Sequence, residues 1–174
     1  MRLFIDKRPF SWDVEYDVTL ENGTKAYHVK NEQEAKRLWS ITLYNRNGVE
    51  IGKIVRKKSI FGKSKFTIYF DNNPIGTIEK TYVHNTARYM LKMTNWRVFG
   101  LIMSWEYDIL DDGAIITHAG TEDSPYADSG KFMLDIYYEN SESSILLAAL
   151  GLEAANSLLA EKQAKRLAKK VRTK

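Results

Sequence analysis

The sequence predicts a mainly β protein: an antiparallel barrel or sandwich of about eleven or twelve short strands, followed by one C-terminal helix. Three observations predict it. Apolar and polar residues alternate through most of residues 11–138. Turn signals separate the alternating runs, among them Asn22-Gly23, Asn47-Gly48 and Asp112-Gly113. The pattern then changes to an unbroken apolar run, Ile145–Leu152. A length of 174 residues suits one domain, and an aromatic content of 12% with only three prolines suits a β core.

The first ten residues, MRLFIDKRPF, contain no apolar signal region and are assigned no strand. In SWDVEYDVTL, Trp12, Val14, Tyr16, Val18 and Leu20 face one way and the acids the other, the period of a half-buried strand. Asn22-Gly23 turns it, because a tight hairpin needs positive φ at its central positions, and Thr24–Val29 returns. Asn31–Ala35 reads as a polar excursion with room for one helical turn. Leu38–Asn45 and Val49–Val55 form the next hairpin, then Phe66–Phe70 and Ile75–Lys80. Arg88–Thr94, Arg97–Met103, Trp105–Leu110 and Ala114–His118 follow, and after a long polar loop, Lys131–Tyr138. Leu43–Ile54 and Ile68–Ile78 echo each other, each ending Ile-Gly-x-Ile. That predicts one hairpin type used twice, with Gly52 and Gly76 at a bulge or a close approach.

Asn140 or Ser141 is placed to cap the helix, and Glu142 suits its first turn. A helix that is apolar on every face has to be surrounded. Ile145–Leu152 is too short to span a bilayer and Glu153 follows it, so the surroundings are expected to be protein. Ala148, Ala149, Gly151, Ala154 and Ala155 would let walls approach closely. Beyond Lys162 the helix becomes amphipathic and basic.

Three segments carry a resemblance to a known family: YDVTLENGTKAYHV as an opening hairpin, RLWSITLYNRNGVEIGKIVRK as the next pair, and GKFMLDIYYENSESSILLAALGLEAANS as a last strand feeding a helix. Together they resemble the tubby C-terminal-domain-like proteins, in the LURP-one-related and phospholipid-scramblase-like branch. The resemblance covers about residues 11–160. It implies a closed antiparallel barrel of about twelve strands around the hydrophobic helix. The expected organisation is therefore 1–160 as barrel with a central helix at about 141–160, and 161–174 as a basic helical extension. The resemblance also implies non-enzymatic roles, since tubby domains bind phosphoinositides and scramblases act at membranes. The chain departs from the scramblases in having no cysteine, which also excludes disulfides and thiolate metal sites.

Charge supplies the candidate binding residues. Residues 161–174 carry a net +6, residues 53–65 another +6, and the remainder is acidic although the whole is only +4. The candidates for contact with an anionic phospholipid surface are Arg56, Lys57, Lys58, Lys63 and Lys65, with Lys162, Lys165, Arg166, Lys169 and Lys170. Ile60 and Phe61 would form an apolar tip between those lysines, or equally the inward ends of two ordinary strands. The same basic segments would serve nucleic acid as a second choice, or simply keep an exposed face soluble. A calyx holding a small apolar ligand is a further alternative, and it would require an open lumen.

Chemistry has fewer candidates. His28, His84 and His118 have no metal-ligand spacing. His118, Glu122, Asp123, Ser124, Tyr126, Asp128 and Ser129 lie together in the polar loop, but Gly, Pro, Asp and Ser are also what a long turn requires. Without a phosphate loop, nucleophile elbow or zincin motif, no cofactor, metal or enzymatic activity is expected. No run is long enough for a membrane span. A cytoplasmic protein with peripheral membrane association is the expected setting.

Overall fold

The computed structural model describes residues 1–6, 14–35, 38–58, 64–83, 86–102, 106–121 and 131–172. Twelve strands follow one another: β1 (Arg2–Asp6), β2 (Val14–Leu20), β3 (Lys25–Ala35), β4 (Leu38–Asn45), β5 (Glu50–Lys58) and β6 (Ser64–Phe70) make the first half. β7 (Asn73–Val83), β8 (Thr86–Met93), β9 (Trp96–Leu101), β10 (Glu106–Asp111), β11 (Ala114–Thr121) and β12 (Lys131–Ile136) make the second. Each strand pairs antiparallel with its neighbours in sequence, and β1 pairs with β12, so the sheet closes into a barrel. A 3-10 turn, Glu139–Ser141, leads into α1 (Glu142–Arg172).

Two strand readings need correction. Residues 2–6 form the strand that closes the ring: Leu3 and Ile5 are buried in the core, and Arg2 reaches outward to Asp135 at 2.6 Å. Asn31–Ala35 is not a helical turn but the continuation of β3. Its acids stay on the outer face, where Glu32 pairs with Lys30 at 2.8 Å and Glu34 with Lys53 at 2.6 Å. Ion pairs along β3 itself, and from β3 to β5, neutralise the acids of a polar segment that apolar alternation alone would not announce as strand.

The repeated hairpin is real. Both copies carry a register shift beside their glycine, one between Leu43 and Tyr44 and the other between Ile68 and Tyr69. The glycines also admit close neighbours: a β-carbon on Gly52 would collide with Leu147, and one on Gly76 with Met93.

The helix fills the barrel. Every residue from Ile145 to Asn156 is buried, against inward-facing residues such as Val29, Leu43, Ile54, Ile68, Ile78, Ile109 and Leu134. A helix without a polar face is stable here because the inner face of the sheet surrounds it. A calyx would leave this lumen open. Among the described residues no helix is long and apolar enough to cross a membrane.

Candidate anion-binding end of the barrel

In a barrel whose strands run alternately up and down, connections fall alternately at the two ends. One end carries the turns after β2, β4, β6, β8 and β10, together with the start of α1. There the Tyr27 hydroxyl donates to Glu142 Oε1 at 2.6 Å, tying the first helical turn to the barrel mouth. The helix then passes Gly52, near the start of β5, and Gly151 meets Ile54 and Ile78 midway. Asn156 Nδ2 donates to the Ile102 carbonyl at 3.0 Å, just past the end of β9. The helix therefore enters at one end and leaves at the other. The 16 residues after Asn156, up to Arg172, carry it onward, roughly 24 Å at about 1.5 Å per residue.

The exit end is also where β5 finishes at Lys58 and β6 begins at Ser64. The two basic segments are consequently at the same end of the molecule. Lys57 is exposed, and Lys58 lies on β5 opposite Ser64. Lys63, Ile60 and Phe61 lie outside the described residues. Lys65 is exposed and pairs with Glu79 at 3.1 Å, sharing that carboxylate with Lys92 at 2.8 Å. The two ammonium groups, Lys92 foremost, hold the Glu79 carboxyl below its ordinary range. Lys162, Lys165, Arg166, Lys169 and Lys170 lie on the backbone of α1.

Arg56 is placed differently from the other candidates. Alternation along β5 turns it inward with Ile54, and it is 5% exposed. Its guanidinium lies 4.2 Å from the Trp39 ring centre and 6.0 Å from that of Phe66, residues opposite it on β4 and β6. An arginine suits this position because its planar, weakly hydrated cation stacks on aromatic faces. A charge run read from sequence does not reveal this; strand parity does.

A second group missed by sequence reading lies inside the barrel toward the same end. Glu153 interrupts the apolar helix and is 7% exposed. Burial pushes its carboxyl up to about 8. Burial raises the hydroxyls of Tyr16 and Tyr107 as well, and a charge on Glu153 would raise them further. Tyr16 hydrogen-bonds Asn31, whereas the buried Tyr107 hydroxyl meets no partner among the described residues. The single acid in an apolar helix was the available signal for this cluster.

The histidines do not form a site. His28 sits on the outer face, 2.8 Å from Asp17 and 3.5 Å from Glu15. His118 belongs to β11 and bonds Asp108 at 2.8 Å. His84 lies outside the described residues, as do Glu122, Asp123, Ser124, Tyr126, Asp128 and Ser129. Among the described residues no three His, Asp or Glu side chains group as metal ligands do.

Comparison with known proteins agrees with this architecture. No curated protein matches the sequence. Among solved structures, the X-ray structure of an Arabidopsis thaliana protein is similar, with a TM-score of 0.55 and 12% identity over 85% of this chain and 88% of that one. That likeness is one of fold. The family model for LURP-one-related proteins matches residues 1–151, and the chain belongs to the LURP-one-related family.

Proposed function

We propose that this is a non-enzymatic binding protein whose helix-exit end docks on anionic phospholipid surfaces. The observation that carries the reading is the shared end: β5 finishes at Lys58 and β6 begins at Ser64, with Lys57 and Lys65 beside them, at the end where the basic continuation of α1 leaves the barrel. Membership of the LURP-one-related family on a barrel filled by its own helix supports a binding role over a catalytic one.

Lys57, Lys58, Lys63 and Lys65 on one side and Lys162, Lys165, Arg166, Lys169 and Lys170 on the other would supply the charge. Each near-surface cation contributes about 1 kcal/mol. Ile60 and Phe61 would add apolar contact at the tip. Arg56, packed on Trp39, serves the barrel wall rather than the surface. In this reading residues 1–160 are the folded unit and 161–174 an attachment arm, and the protein is cytoplasmic and peripheral to the membrane.

The test is sedimentation with vesicles of phosphatidylcholine alone or with phosphatidylserine, at low and high salt. Binding should need the anionic lipid and fade with salt. Reversing Lys162, Lys165, Lys169 and Lys170 to Glu in the full chain should reduce it about tenfold or more. Equal affinity for duplex DNA, with the same salt slope, would instead favour the nucleic-acid reading. No binding to either vesicle would leave the basic segments as solubilising features.

A further inference from the structure

The end of the barrel where α1 enters is acidic. It carries Glu21 after β2, Glu50 at the start of β5, Asp71 after β6, Asp111 and Asp112 after β10, and Glu139 before α1. Among the described residues Glu50, Asp71, Asp111 and Glu139 are in no ion pair. Asp112 accepts from the neutral Asn95 amide at 3.0 Å, and Glu21 stands 3.9 Å from an Arg2 already bonded to Asp135. Lys25 and Lys92 are likewise committed, to Asp17 and Glu79 at 2.8 Å each. That leaves Arg46, Arg97 and the terminal amine to oppose these acids, so the end stays negative after its ion pairs are made.

The same end also exposes apolar surface: Val49, Ile115, Tyr137 and Tyr138 are each 47% to 59% exposed there. Glu50 and Asp71 stand at a hollow of about 430 Å³ beside β5 and β6, walled by Ile51, Val55 and Tyr69. Lys53 lines it too, but its ammonium is held by Glu34 at 2.6 Å. Carboxylates beside apolar walls and an aromatic ring select a long cationic side chain, with its stem on the walls and its head on the acids.

The chain itself carries a segment of that chemistry. Residues 161–174 hold seven cations against Glu161, on a helix that continues to Arg172, and their spacing sets Ala164, Leu167, Ala168 and Val171 in one stripe. The segment therefore matches the entry end in charge and in apolar content. The match cannot close within one molecule, because Asn156 bonds Ile102 at the opposite end and the rest of α1 leads away from there. We propose that the acidic entry end of one copy takes the basic continuation of α1 from a second copy. The two surfaces differ and lie at opposite ends, so the contact repeats head to tail instead of closing into a symmetric pair. Anionic lipid would compete with the neighbouring copy for this arm, but the inference does not rest on lipid binding.

Sedimentation equilibrium of the full-length protein without lipid tests this. The weight-average mass should rise between about 10 μM and about 1 mM, the range of a small interface, without levelling at the dimer. High salt should suppress the rise. Two full-length variants separate the two halves of the contact. One carries Glu50→Lys with Asp71→Asn, the latter because Asp71 stands at φ 47°, which Asn tolerates. The other has Lys162, Lys165, Lys169 and Lys170 replaced by Glu. Each alone should associate about tenfold more weakly than wild type or worse, with an unchanged melting temperature. Mixed, they should associate again, since the first keeps its basic arm and the second its acidic end. Wild type that stays monomeric at about 1 mM, association that stops at a dimer or survives either variant, or a mixture that stays monomeric would each overturn the proposal.

Discussion

Leu147 lies against the bare Cα of Gly52, in the space that a β-carbon there would occupy. The contact fixes how near the helix runs to β5, and Gly151 does the same one turn on, facing Ile78. The two glycines differ in what would have to give. A β-carbon on Gly52 would also stand 2.9 Å from the Tyr69 carbonyl, which is backbone held in the β5–β6 ladder. One on Gly151 would stand 2.6 Å from Ile78 Cδ1, the end of a side chain that can rotate.

Gly52→Ala should therefore cost more than Gly151→Ala. Overpacking against backbone costs about 1–3 kcal/mol. At Gly151 the helical preference of Ala returns about 1 kcal/mol and offsets most of the strain. Urea denaturation of both variants measures the order, and a more damaging Gly151→Ala would show that the helix rather than the sheet sets the spacing.

Leu147→Asp tests the central helix directly. Leu147 is completely buried, and an unpaired carboxylate in its place costs several kcal/mol, enough to prevent folding of a marginally stable domain. Circular dichroism and cooperative melting are the measurements. A soluble variant with the wild-type melt would mean that the helix does not depend on the barrel around it.

Truncation after Ala160 should do the opposite. The helix residues from Ile145 to Asn156 buried in the barrel, and the bond from Asn156 to Ile102, lie before that point, and the matched family region ends at residue 151. The shortened protein should melt within a few degrees of the full chain. A large loss would show that the basic continuation also packs on the barrel.

Most of this architecture was legible because the outer and inner faces of the strands differ in polarity. Val14–Leu20 and Lys131–Ile136 follow alternation closely, and the Asn-Gly turns stand at positive φ on Gly23 and Gly48. The failures have physical causes. β1 is short, and its role is to pair with β12, some 130 residues away, which no local pattern announces. Asn31–Ala35 is strand because Lys30 and Lys53 neutralise its acids from neighbouring positions. The shared end of the two basic segments follows from counting strand directions, which requires every strand to be known, including β1. Arg56 shows the same limit at one residue. Its charge is plain in the sequence, but only its parity with Ile54 sends it onto Trp39.

Glu153 yields a prediction about pH. In the folded barrel burial holds its proton up to about pH 8, and desolvation is the cause. In the unfolded chain the carboxyl releases its proton near its ordinary value of 4.5. Between those values the folded state binds more protons, so stability falls as pH rises, by about 1.4 kcal/mol per pH unit, and levels off above about 8. Asp17, Glu34 and Glu79 act in the other sense, each lowered by a lysine beside it, but their contribution is complete once the pH passes the ordinary carboxylate range. Glu153→Gln keeps the shape and removes the titration. The variant should match wild type near pH 5 and be more stable by a few kcal/mol at pH 8. Denaturant melts of the two proteins across that range isolate the effect, because every other group is common to both. A constant difference across the range would mean that Glu153 is charged inside the barrel, with a partner cation to hold it.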